Sequence, residues 1–322
     1  MLPSLFVFVQ LACLIAYAVL AGADFGAGIW DLLSRGERRA AHRRALARAI
    51  GPVWEANHVW LIFFIVILFT CFPTAYALAS VALFWPLHLV LIGIVLRGAA
   101  YVFRAYASDS AATRDAWGRV FGASSAVTPI LLGACLGAVS SGNVREWIAP
   151  FPLMTGVLAL LISAYLAAVY LAWETNDLVI REDFRRRALA IWWIAGVASV
   201  GTLTLAHSGA PRLWSGLTTW PGGVLVASGA LLAPASFVAL RRGRLTAARV
   251  LGVAQVVALL LGWGMAQWPY LIYPDVTVAG AAAPQSTLEL TAATLPFGLA
   301  ALVPALWFLF KVFKSRSASE GS

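Results

Sequence analysis

Two carboxylic acids stand where an apolar chain has little reason to place charge. Asp24 lies inside the first long apolar run, and Glu55 opens the second. Charges inside a bilayer are costly, so those that occur are paired or functional. At about 1.5 Å of rise per residue, both acids fall in the same third of the membrane. Acids at one depth on neighbouring helices can hand a proton along, because desolvation favours the neutral carboxyl, which still exchanges its proton. The structural alternatives are an arginine-paired acid at 24 and a helix-end carboxylate meeting free N–H groups at 55.

Gly22, Gly26 and Gly28 surround Asp24. The small-x-x-x-small pair Gly22/Gly26 lets another helix approach closely, which puts Asp24 at a protein interface. Arg97 and Arg104 are seven residues apart and share one helix face. They are candidate counter-charges for Asp24 or Glu55, with snorkelling to headgroups as the alternative. Glu55-Ala56-Asn57-His58 is a Glu-x-x-His motif. A di-iron site on bundle helices needs two of these plus two further carboxylates. Glu174, Glu182 and Glu289 lack a His three residues on, so no metal site is expected. Candidate haem ligands are His58, His88 and Met265, and they do not repeat at the spacing of a bis-His cytochrome. No catalytic residue follows from these motifs, and cofactor-binding residues stay unassigned.

The elements that must position these groups are membrane helices. Of 322 residues, 61% are hydrophobic and 11% charged, with mean hydropathy +0.84. This excludes a soluble domain, for which about 25% charge is usual, and it excludes nucleic acid as a partner despite a net charge of +9. Cys13, Cys71 and Cys135 lie in apolar runs and form no C-x-x-C pair. Nine runs approach the ~20 apolar residues that a span needs. They lie at 3–33, 53–77, 80–106, 117–139, 152–175, 188–207, 221–240, 247–268 and 288–312. Pro73 and Pro86 make the second-to-third boundary the weakest. Lys and Arg occupy alternate connections, and only Arg145 and Arg212 fall on the other side. The positive-inside rule then places the N-terminus outside and the C-terminus in the cytoplasm. The expected fold is one all-α integral membrane domain over 1–322. It comprises a four-helix bundle at 1–139, a second at 152–268, and a ninth, peripheral helix at 288–312.

Gly22-Ala23-Asp24-Phe25-Gly26-Ala27-Gly28 resembles the Gly-x-Asp-x-Gly-x-Gly signature in the first helix of subunit II of cytochrome bd-type quinol oxidases. The second-helix signature of that family resembles the run from Gly51 to Leu61, and Phe72-Pro73 with Tyr76-Ala77 follows at the family's spacing. Leu96-Arg97-Gly98-Ala99-Ala100 with Phe103-Arg104 resembles its third-helix segment. The motifs occupy roughly the first third of the chain; beyond it the likeness is one of length and topology. The resemblance implies a quinol oxidase of the bacterial inner membrane that reduces dioxygen to water and builds proton-motive force. It implies a haem-bearing subunit I as partner, carrying haem b and haem d. Membrane lipids and quinol are implied as further partners, a small single-helix subunit is allowed for, and ubiquinone is a candidate structural ligand. This chain would be the haem-poor subunit, contributing Asp24 and Glu55 to a cytoplasmic proton pathway. Ala21 and Val102 stand where many members carry acids, and Glu55 stands where Asp is usual.

A reading from a different class is a secondary transporter with two parallel bundle repeats. It would need a polar midplane site in both halves, and the second half offers almost no acid there.

Overall fold

The computed structural model describes the backbone of residues 1–50, 54–106 and 110–319. Within these it describes all side chains except those of 49–50, 54–55, 105–106, 309–310 and 312–319. Helices dominate: α1 Leu2–Leu33, α2 Arg39–Ile50, α3 Trp54–Cys71, α4 Pro73–Ala82, α5 Phe84–Tyr106 and α6 Ala111–Ser140 form the first half. The second half holds α7 Pro150–Glu174, α8 Leu178–Gly209, α9 Pro211–Leu217, α10 Trp220–Arg241, α11 Leu245–Gln267 and α12 Gln285–Ser319. A small antiparallel hairpin, β1 Tyr270–Ile272 with β2 Val276–Thr277, separates α11 from α12. Among the described residues, eight helices are long and apolar enough to span a membrane. Counting α3 with α4 as one broken span gives nine.

The sequence boundaries shift for identifiable reasons. The expected run 53–77 breaks at Phe72, where Pro73 takes the first position of α4 and the chain turns by 117°. Proline suits that position because its missing N–H would be unpaired there anyway. The expected run 80–106 therefore begins in α4 and becomes a clean helix only from Phe84. The basic segment after α1 contains a helix, α2. Its His42 and Leu46 are buried while Arg44 and Arg48 are exposed, which is the pattern of a surface helix with one inward face. Arg181 and Arg185–Arg187 lie in the first turns of α8 and not in a loop, because Asp177 caps that helix early, accepting from the backbone N–H of Val179 and Ile180.

The centre of the fold is the crossing of α1 with α7. α1 packs against α3, α6, α7 and α11; α5 packs on α6, α7 on α8, and α10 on α11. Buried residues at this crossing include Ala27, Trp30, Ala164, Ala167 and Ala168. Small side chains bring the backbones close enough for the Trp30 indole N–H to donate to the Ala164 carbonyl at 2.8 Å. Gly26 has no room for a side chain: a Cβ there would lie 1.9 Å from the Ser163 carbonyl oxygen. Gly28 plays the same part against α6, where a Cβ would lie 2.1 Å from Ser125 Oγ. Gly22 is looser, since the nearest atom to a Cβ there, Ser163 Oγ, would lie at 3.6 Å.

Candidate functional site

Asp24 sits on α1 about 14 Å of helix from Leu33. α3 delivers buried Asn57, whose amide donates to Asp24 Oδ2. α5 delivers Arg97, 1% exposed. Its Nη2 donates to the Asp24 main-chain carbonyl at 3.1 Å, and its Nε donates to Ser125 Oγ on α6 at 3.2 Å. The guanidinium lies over the rings of Phe25 and Phe121, 5.2 Å from each centroid. Arg97 is thus core structure, and its delocalised, weakly hydrated charge suits that environment. Beside it the Tyr17 hydroxyl meets His58 Nδ1 at 3.3 Å, and the His58 ring packs on Tyr17 and Phe25. Glu55 lies in the first turn of α3, three residues before His58; its side chain is outside the described residues.

Arg104 does not serve Asp24. Its Nη1 donates to Asp31 Oδ2 at 2.7 Å. Asp31 is only 3% exposed and also holds Arg43 of α2, whose Nε lies 3.1 Å from Oδ1. Arg43 and Arg39 in turn engage Asp115 of α6. By position in the sequence Asp31 is one more acid near a helix end, and motif reasoning misses it. Spacing is the signal that finds it, since Asp24 and Asp31 are seven residues apart, as are Arg97 and Arg104. Two rungs form in register: Asp24 with Arg97, and Asp31 with Arg104. Advancing seven residues on α1 advances seven on α5, so the two helices run parallel.

Removing one partner of a buried pair costs about 3–5 kcal/mol. Arg43 and Arg104 retain side-chain exposures of 19% and 26%, so about 2 kcal/mol is the appropriate scale for Asp31→Asn. The expected result is a lower melting temperature of the purified assembly. A melting curve superimposable on the parent would remove Asp31 from the account of stability.

The haem-ligand candidates do not form an axial pair. His88 is exposed near the start of α5, and its Nδ1 meets the Phe84 carbonyl at 2.7 Å. His58 lies near the start of α3, at the end of the membrane that carries the basic segments, whereas His88 lies near the opposite end. Met265 is 48% exposed at the end of α11. Among the described residues no group of three or more His, Cys, Asp or Glu is placed to hold a metal ion.

The family model for cytochrome bd terminal oxidase subunit II matches residues 2–313. A Bacillus subtilis relative, named as a candidate cytochrome bd menaquinol oxidase subunit II, is 25% identical over 320 residues, covering 92% of this chain and 91% of its own. Subunit 2 of the cytochrome bd-I ubiquinol oxidase of Escherichia coli K12 is 29% identical over 178 residues, half of this chain and 46% of its own. The solved bd oxidase of Geobacillus thermodenitrificans contains a chain with the same fold, at TM-score 0.80 and 22% identity, over 97% of this chain and 98% of that one.

Proposed function

This chain belongs to the cytochrome bd terminal oxidase subunit II family, and from that premise we propose that it is the haem-poor subunit of a quinol:oxygen oxidoreductase and supplies part of its proton pathway. Membership makes it a multi-span component of an oxidase complex with a subunit I partner and replaces the transporter reading. The finer reading concerns haem b and haem d, which we assign to subunit I. Its support is the scatter of His58, His88 and Met265 described above: these side chains do not offer one iron two facing ligands. Haem bound by the partner supplies the electron transfer to dioxygen; the residues of this chain bind, space and move protons.

The observation that carries the proton role is Asp24 itself. Its carboxylate accepts from the Asn57 amide, and beside it Arg97 donates to the Asp24 main-chain carbonyl and to Ser125. Asp24 also keeps partial exposure on the flank of α1, so a proton could reach it from one side and leave by the other. We assign Glu55 the role of preceding donor, since it stands about one helical turn before His58 and nearer the basic end. That end is the cytoplasmic one if the 21 basic residues on it obey the positive-inside rule. Protons used to make water would then come from the cytoplasm, while quinol oxidation releases protons outside, and charge separation follows without a pump.

We further propose that residues 1–139 and 152–268 are two four-helix bundles, with 288–312 peripheral. The pairings support this: first with second, first with fourth and third with fourth helices meet in both halves. Quinol and bilayer lipids are the expected small-molecule partners. A structural ubiquinone and a small single-helix subunit stay as expectations from the family.

Affinity purification through this chain is expected to recover a haem-bearing membrane subunit, with the b- and d-type bands following that subunit on dissociation. A Soret band stoichiometric with this chain alone would overturn the haem-poor assignment. Within the intact complex, Glu55→Gln is expected to slow oxygen consumption several-fold while Glu55→Asp largely keeps it. Equal rates for both would remove charge at 55 from the pathway.

A further inference from the structure

At the basic end, the turn after α1, helix α2 and the start of α8 enclose an open cleft of about 380 Å³. Its acids are accounted for. Asp183 accepts from Arg38 Nη1 at 2.8 Å and meets His42 Nε2 at 3.0 Å. Glu37, the other acid of the lining, is exposed at the surface. Buried His42 adds no cation: burial, then the neighbouring Arg187 charge, hold its imidazole below the ordinary value. Four guanidinium groups line the cleft against two carboxylates. Arg38 is taken by Asp183, and Arg186 donates to Glu182 at 3.0 Å. Arg35 and Arg187 are the two with capacity left. Arg187 lies over the rings of Trp30 and Phe184, at 5.3 and 5.0 Å, and its Nη2 meets His42 Nδ1 at 3.3 Å. Its Nη1 is buried with no hydrogen-bond acceptor. A guanidinium held this way presents an unsatisfied donor of the geometry that matches a phosphate oxygen.

The surroundings are those of a lipid and not of a soluble anion. Leu32 and Leu33, 36% and 50% exposed, end α1 immediately before Arg35. Exposed apolar side chains thus adjoin the cationic cleft where α1 leaves the bilayer. We infer that this cleft seats the phosphate of an anionic phospholipid between Arg35 and Arg187, with the acyl chains running along Leu32 and Leu33. The site would bind the loop of the first half to α8 of the second through its ligand, beside the protein's own Arg38–Asp183 bridge. It is independent of the proton-pathway proposal.

The test uses the whole oxidase complex, solubilised and stripped of lipid. It is titrated with phosphatidylglycerol, with phosphatidylcholine and with inorganic phosphate, and occupancy is read by native mass spectrometry. The expected result is preferential retention of phosphatidylglycerol. Arg35→Gln, a surface change that cannot disturb the core, is expected to weaken it about fivefold, and Arg35→Gln with Arg187→Gln about thirtyfold. Arg48→Gln, on the exposed face of α2 outside the cleft, is expected to change nothing. Equal retention of the two lipids, or equal weakening by Arg48→Gln, would overturn the site. Saturation by inorganic phosphate without any lipid preference would overturn the lipid as its occupant.

Discussion

Asp24→Asn in the assembled oxidase is expected to lower quinol-dependent oxygen consumption by about a hundredfold, the lower end of what a positioned proton-transfer group contributes. The substitution is nearly isosteric. It keeps a polar side chain beside Asn57, and it leaves in place the hydrogen bonds that Arg97 donates to the Asp24 main-chain carbonyl and to Ser125. What it removes is the ability to take up and release a proton. Haem content and the quinol-reduced spectrum should therefore match the parent while turnover and proton uptake both fall. If turnover and uptake stay at parental levels in a complex with full haem content, Asp24 is a structural acid. If haem content falls as well, the paired change Asp24→Glu separates the two: it restores a titratable group at some cost in fit, so activity per haem should recover in part.

Gly26→Ala is expected to reduce the yield of assembled complex several-fold, whereas Gly22→Ala, one helical turn away, leaves it unchanged. The contrast rests on geometry. A methyl at 26 would lie 1.9 Å from the Ser163 carbonyl oxygen, 2.5 Å from its carbon and 2.6 Å from Ala167 Cβ. The first two are backbone atoms of α7, so no side-chain rotation relieves the overlap and α1 must move away from α7. Overfilling a packed core typically costs about 1–3 kcal/mol, and separating two central helices would also strain the Trp30–Ala164 hydrogen bond. At Gly22 the nearest atoms are 3.6 and 3.7 Å from the added methyl, an ordinary contact. Yield compared by in-gel haem staining or by purified complex per cell decides it. Equal yields for the two variants would mean that α1 and α7 can separate freely.

The long spans were legible because hydropathy over ~20 residues needs no tertiary information. What was not legible needed it. α2 reads as a loop by hydropathy because arginine dominates it, although buried His42 and Leu46 are spaced four apart, as one face of a helix requires. Phe72-Pro73 marks a break, but its angle depends on what α4 rests against. Asp31 is hidden by position: two residues from the end of α1 it reads as solvent-bound, yet α2 folds back and delivers Arg43 over it. Arg104 is paired in expectation with Asp24 or Glu55, while the structure gives it Asp31. The close packing around Asp24 follows from glycine spacing alone, but which helix fills each gap does not: α7 meets Gly26 and α6 meets Gly28.

The matched rungs between α1 and α5 have a consequence for how the chain is made. In each rung acid and arginine are separated by 73 residues. The ribosome therefore delivers α1 to the membrane with both acids aboard well before either arginine of α5 exists. An acid at the centre of an isolated membrane helix disfavours insertion by about 2.5–3.5 kcal/mol. During that interval Asp24 has to be tolerated by the length and hydropathy of the 32-residue α1 and by early contact with Asn57 of α3. The arrival of α5 then closes both rungs together, and because each repeats at seven residues, a slip of α5 by one such step would leave Asp24 or Asp31 facing no arginine. The ladder is thus a register check applied when α5 enters the membrane, before α6 completes the first half of the protein.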